Sequence, residues 1–194
     1  YYRGEVNNNV IYGNFCWKII RTTNTGGVKL IYNGVPNATT GQCNNTYTNT
    51  QIGTSKFQED YTKSEYNSVA RETVDTWYEN NIAKLENYLE DTEFCADASR
   101  EVPTTNCSNI YSVKNSKLTH PVALLNSTEA ILAGAGAEDN KNYYLYSGQA
   151  VWTMSEGNKD FTRQATGYQY AYANTNHNQG WTGEYTGQMA SFGV

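Results

Sequence analysis

Four cysteines carry the most chemistry in this chain: Cys16, Cys43, Cys95 and Cys107. None of them belongs to a Cys-x-x-Cys pair, and the two histidines, His120 and His177, stand in separate contexts. Structural zinc is built from close ligand pairs, so no metal is expected here and no cofactor is called for. An even set of dispersed thiols reads instead as two disulfides, for which three connectivities are possible. The connectivity with the shortest loops joins Cys16 to Cys43 and Cys95 to Cys107. In the chain-entropy account each bridge removes about 3 kcal/mol of freedom from the unfolded state. The alternative is four buried free thiols packed as small hydrophobes.

A second constellation lies near the C-terminus, where Tyr168, Tyr170, Tyr172, Asn174, Asn176, His177, Asn178, Trp181 and Tyr185 combine flat amphipathic rings with amides. Rings of this kind give large contact area at small entropic cost, and amides bond in several geometries. That chemistry suits a glycan, whose apolar faces stack on rings, or a protein surface. The bland reading is that Tyr168, Tyr170 and Tyr172 form one face of a strand, because period-two aromatics pack. Trp152 and Trp181 are read as core.

Signals for catalysis are thin. A serine nucleophile is expected in a sharp Gly-x-Ser-x-Gly turn, which does not occur. His120 precedes Pro121 and reads as leading into a strand, whereas His177 sits among Asn residues in a loop. Glu156, Asp160 and Glu184 are the nominees for a glycosidase pair, but their spacing says nothing about facing carboxylates. Glu138, Asp139 and Asn140 offer oxygen ligands of the kind calcium takes, and read as an exposed acidic turn. No glycine-rich phosphate loop opens a helix.

These groups need a scaffold, and composition bounds it. The chain has 194 residues, enough for one domain spanning 1–194. It is 38% hydrophobic, with 17 Tyr in that fraction, and only 17% charged, so the core is aromatic and lean and the surface is made largely by Asn and Thr. A net charge of -5 disfavours a phosphate backbone, which asks for clustered Lys and Arg, so nucleic acid is not expected as a partner. No apolar run reaches the roughly 18 residues that span a bilayer, so no membrane insertion is expected within this segment. The chain lacks a starting Met and reads as a mature piece of something longer.

Period-two hydrophobics from Val10 to Arg21, with Phe15, Trp17 and Ile19 alternating, read as one strand. Asn24, Thr25, Gly26 and Gly27 supply a turn, and residues 28–32 resume a strand, making a hairpin. Residues 34–63 lack periodicity and read as a long loop. Over residues 68–90, Val74, Trp77, Tyr78, Ile82, Leu85, Tyr88 and Leu89 recur at helical steps, with a break at Asn80 and Asn81. A second short helix over 126–134 opens with Asn126 as cap and Glu129 at its third position, as in a capping box. Two short strands, 143–147 and 150–154, follow. Strands at both ends with helices between them point to an α+β fold of small mixed sheets, two or three helices and long loops.

Several segments resemble a group of surface proteins from low-GC, often gut-dwelling Firmicutes. They are residues 13–21 (Gly-Asn-Phe-Cys-Trp-Lys-Ile-Ile-Arg), 25–34 (Thr-Gly-Gly-Val-Lys-Leu-Ile-Tyr-Asn-Gly), 75–78 (Asp-Thr-Trp-Tyr), 89–95 (Leu-Glu-Asp-Thr-Glu-Phe-Cys), 121–125 (Pro-Val-Ala-Leu-Leu), 129–134 (Glu-Ala-Ile-Leu-Ala-Gly), 144–146 (Tyr-Leu-Tyr) and 152–155 (Trp-Thr-Met-Ser). In that group Phe-Gly-Val runs on into Arg-Pro-Val and a last apolar strand, so a final strand beyond Val194 is expected. A more distant resemblance is to the formylglycine-generating branch of the C-type-lectin-like fold, through a short Leu-x-x-x-Glu helix, an Ala-Gly stop and a Trp-Thr strand. It implies an irregular, loop-rich half carrying the ligand surface. Catalytic members of that branch use cysteines in the C-terminal half, and none follows Cys107 here, so thiol oxidation does not carry over. The Glu-Pro-Asn and Trp-Asn-Asp calcium triplets of sugar-binding lectins are also missing. The expectation is an extracellular or cell-surface recognition or adhesion module for a glycan or protein, and not an enzyme. The alternatives are a spacer domain of a cell-wall or pilus-like protein, or an enzyme of the formylglycine-generating or glycoside-hydrolase type.

Overall fold

A computed structural model describes residues 6–45, 52–55, 69–96, 107–130, 132–133, 144–145, 152–156, 171–173, 185–186 and 190–193. Two strands, β1 (Asn9–Tyr12) and β2 (Phe15–Thr22), replace the single strand expected over this stretch. They pair antiparallel with Tyr12 opposite Phe15, leaving Gly13 and Asn14 as the whole turn. Both have positive φ, 60° and 65°, and two consecutive left-handed residues are what a tight hairpin needs to match the strand twist. A Cβ on Gly13 would stand 2.6 Å from Leu85 Cδ1. Gly13→Ala is therefore expected to cost about 1–2 kcal/mol from the left-handed backbone alone, with the overlap adding to it, read as a lowered urea midpoint.

The chain turns again at 23–27, where Thr23 N–H donates to Gly27 O at 2.9 Å, and returns as β3 (Val28–Tyr32). β3 pairs antiparallel with β2, with an irregularity between Ile19 and Arg21. The last described strand, β11 (Ala190–Gly193), lies between β3 and β7 (Val122–Leu124), antiparallel to both. The sheet order is thus β1-β2-β3-β11-β7. The C-terminal strand β11 thus sits inside the sheet, beside the N-terminal hairpin.

Helix α1 (Val69–Asn81) packs on β7. Ala70, Val74 and Tyr78 recur at four-residue steps and are fully buried, as is Ile82 just beyond. They meet Trp17, Leu30, Val122 and Leu124 in one apolar cluster. The helix stops at Asn81, whose Nδ2 donates to Trp77 O at 2.8 Å, and a 3₁₀ helix (Ala83–Tyr88) continues the chain. Alternation along β2 and β3 puts Cys16, Lys18, Ile20, Lys29 and Ile31 on the opposite face of the sheet, and these too are buried. The sheet is covered on both sides.

Small ladders surround it. β4 (Thr54–Ser55) pairs with β10 (Tyr185–Thr186), and β5 (Phe94–Cys95) with β6 (Ile110–Tyr111), both antiparallel. β8 (Trp152–Glu156) and β9 (Ala171–Ala173) run parallel. The architecture is a small mixed α+β fold. β4 falls inside the stretch read as loop. Of the first strand expected after the second helix, Tyr144 and Leu145 are described, and these two make a buried turn, with Tyr144 Oη donating to Ile20 O at 3.2 Å. Burial of a hydroxyl on a backbone carbonyl outweighed local β propensity there.

The short helix α2 (Ser127–Ala130) has the capping geometry expected from its residues. Glu129 N–H donates to Asn126 Oδ1 at 2.7 Å, and Asn126 N–H donates to Glu129 Oε2 at 3.4 Å. Glu129 does more than cap. Its Oε1 accepts from Lys29 Nζ at 2.7 Å and from Arg21 Nε at 3.4 Å, and Lys29 Nζ lies 4.3 Å from the centre of the Phe94 ring. One carboxylate thereby ties α2 to β2 and β3.

Candidate functional site

Both disulfides close the shortest loops available. Cys16–Cys43 and Cys95–Cys107 have Cα separations of 5.6 and 5.8 Å and span 27 and 12 residues. The first pins the loop after β3 to the sheet. Amides finish the attachment: Asn33 Nδ2 donates to Asn9 Oδ1 at 2.8 Å and to Asn44 O at 2.9 Å, and Asn9 Nδ2 donates to Asn45 Oδ1 at 2.9 Å. Asn37 Oδ1 accepts from the N–H groups of Thr39 and Thr40, both at 2.9 Å, shaping the exposed tip. Two large apolar residues flank this region in the open, Ile11 at 56% and Val35 at 63% exposure. The second bridge holds β5 and β6 together, and Asn126 Nδ2 donates to Cys95 O at 2.9 Å.

Four aromatic rings converge where β2, β3 and α1 meet. Phe15, Trp17, Tyr32 and Trp77 are all within 5.0–6.3 Å of one another by ring centre, in edge-to-face and tilted arrangements. Such pairs add about 0.5–1.5 kcal/mol beyond their area burial. Trp17 is fully buried and its Nε1 donates to Tyr12 O at 2.8 Å, whereas Phe15, Tyr32 and Trp77 are half-buried. The cluster therefore has a structural floor and a partly open rim. Burial pushes the Tyr32 hydroxyl up, so it remains a neutral donor and acceptor at any physiological pH.

A polar cluster occupies the side of α1 that faces the segment before β7. Arg71 Nε pairs with Asp75 Oδ2 at 3.5 Å, and Arg71 Nη2 donates to Thr119 Oγ1 at 3.1 Å. His120 Nε2 meets Glu79 Oε1 at 3.1 Å, and its ring lies over Tyr78 with 4.7 Å between centres and 25° between planes. Asp75 Oδ1 is buried without a hydrogen-bond partner. Burial raises the Asp75 carboxyl above the ordinary carboxylate range, although Arg71 and His120 pull the other way. No group of three or more His, Cys, Asp or Glu side chains among the described residues is placed to hold a metal ion.

Of the residues singled out in the C-terminal segment, Tyr172 lies in β9 and Tyr185 in β10, opposite Ser55. Tyr168, Tyr170, Asn174, Asn176, His177 and Trp181 lie outside the described residues. Sequence reasoning did not bring the four-ring cluster together. Its members were legible one by one as strand or helix stripe residues, but no spacing signal joins Trp77 to Tyr32. His120 was read as leading into a strand, which it does, yet its pairing with Glu79 depends on how α1 lies across β7. No protein-family model matches this chain, and no curated protein or solved structure matches it either.

Proposed function

We propose that the chain is an extracellular recognition or adhesion module of a bacterial surface protein, with a C-type-lectin-like arrangement and a glycan or protein as ligand. The observation that carries this reading is the bridging of all four cysteines: both disulfides fasten loops to strands, and such bonds persist in oxidising compartments. Among the described residues no helix is long and apolar enough to cross a membrane. The half-open rim of Phe15, Tyr32 and Trp77 supplies flat, partly exposed rings of a kind suited to binding. The resemblance to Firmicutes surface proteins and the ring-and-amide segment from Tyr168 to Tyr185 point the same way.

A glycan and protein array probed with the oxidised protein tests this. A specific ligand is expected, and Trp77→Ala together with Tyr168→Ala and Tyr170→Ala will show which ring surface it uses. Uniform silence from well-folded protein would sink the proposal and favour the second reading, a structural spacer. One observation favours that second reading: the four rings satisfy one another, and Trp17 has no exposure at all.

A further inference from the structure

We propose that the polar cluster between α1 and β7 is an acid-tightened clamp, in which uptake of a proton by His120 fastens the segment entering β7 to the helix. The contacts converge on two consecutive residues. Thr119 is held by Arg71, and His120 is held both by Glu79 and by the face of Tyr78. β7 is an outer strand of the described five-stranded sheet, so its attachment to α1 matters more than that of a central strand would.

Without a proton on His120, the cluster holds one cation, Arg71, against two carboxylates, Asp75 and Glu79. The neutral imidazole offers Glu79 a single N–H through Nε2. With the proton, that contact becomes an ion pair between opposite charges, of the modest kind found where one partner is largely exposed. The cationic ring also gains from the π face of Tyr78 beneath it, and the excess negative charge of the cluster is cancelled. Among the described residues the charged and titratable groups facing His120 from α1 are Arg71, Asp75, Tyr78 and Glu79. Thr54 and Ser55 of β4 carry no charge, and Lys117 points instead at Asn109 Oδ1, 3.1 Å away, and at the Tyr111 ring.

Asp75 acts with the same sign. Burial makes its carboxylate costly in the folded chain, so its contribution is fully present below the unfolded carboxyl value and is lost as pH rises through the raised folded one.

Amide exchange of the Val122–Leu124 and α1 amides, corrected for intrinsic rates, measures clamp opening directly. Between about pH 7.5 and about pH 5.5, opening in the wild type is expected to fall about twofold to fivefold. His120→Gln keeps a hydrogen-bond donor but cannot charge, and is expected to lose most of that change. Glu79→Gln, at a position whose side chain is 60% exposed and so tolerant of substitution, is expected to lose a similar share. A His120→Gln protein that responds to pH as the wild type does would overturn the proposal. So would a Glu79→Gln protein with the full response.

Discussion

Glu129→Ala is expected to destabilise the protein by about 3–5 kcal/mol, the range found when one partner of a buried ion pair is removed. The side chains of Lys29 and Glu129 are 1% and 5% exposed. Removing the carboxylate leaves the Lys29 ammonium in an apolar setting, with the Phe94 ring as its nearest described cation acceptor. The same change strips one half of the capping box from α2, which adds about 1 kcal/mol of helix-end loss. Lys29→Met alone should cost less, because Glu129 keeps Arg21 at 3.4 Å and a half-exposed cation can follow it. The double variant Lys29→Met with Glu129→Leu should lose less than the two single losses combined, since no charge is then stranded. A urea-unfolding cycle across the four proteins measures this coupling. Equal, additive losses would mean that the pair is not the lock described here.

The same pair has a pH signature opposite to that of Asp75. Burial pushes the Glu129 carboxyl up, but Lys29, Arg21 and the Asn126 N–H together outweigh it and hold the group below the ordinary glutamate range. A carboxyl depressed in the folded state contributes stability that is present above its unfolded value of about 4.3 and is lost as pH falls through the folded value. The gap in urea midpoint between wild type and Glu129→Ala should therefore be widest near neutrality. It should narrow in strong acid, and a gap that widened below about pH 4 would contradict the assignment.

Joint replacement of Cys16 and Cys43 by Ala is expected to cost about 3.5 kcal/mol, against about 3 kcal/mol for Cys95 and Cys107, because the first bridge closes the longer loop. The separations that set this order are 27 and 12 residues. The effect of the first pair extends further into the fold. Asn44 and Asn45 reach Asn33 and Asn9 only while Cys43 is held at the sheet, so its release also removes hydrogen bonds that finish the β1 edge. Unfolding of each double variant in urea gives both losses. Alkylation of the denatured protein should label no thiol before reduction and four after it. Thiols that react without reductant would remove the ground for an oxidising compartment, and with it the main support for the proposed function.

Local patterns were enough for the elements that answer to local physics. Val74, Tyr78 and Ile82 in the sequence stripe set the buried face of α1 and its continuation, although Tyr88 in the same stripe is exposed, and Asn80 and Asn81 marked the helix end, because helical period and helix termination are properties of a few neighbouring residues. Asn126 and Glu129 announced the cap of α2 for the same reason. The Gly13–Asn14 turn was visible as a residue pair but was masked by the unbroken apolar alternation on either side of it, so two strands read as one.

Pairings over long distances in the chain belonged to the tertiary structure. That β11 enters between β3 and β7, that Lys29 finds Glu129 across 100 residues, and that His120 finds Glu79 across 41 are outcomes of how whole elements pack. Period tells which face of an element is apolar. It does not tell which other face will cover it, since many covers bury similar area and only steric fit and satisfied polar groups choose among them.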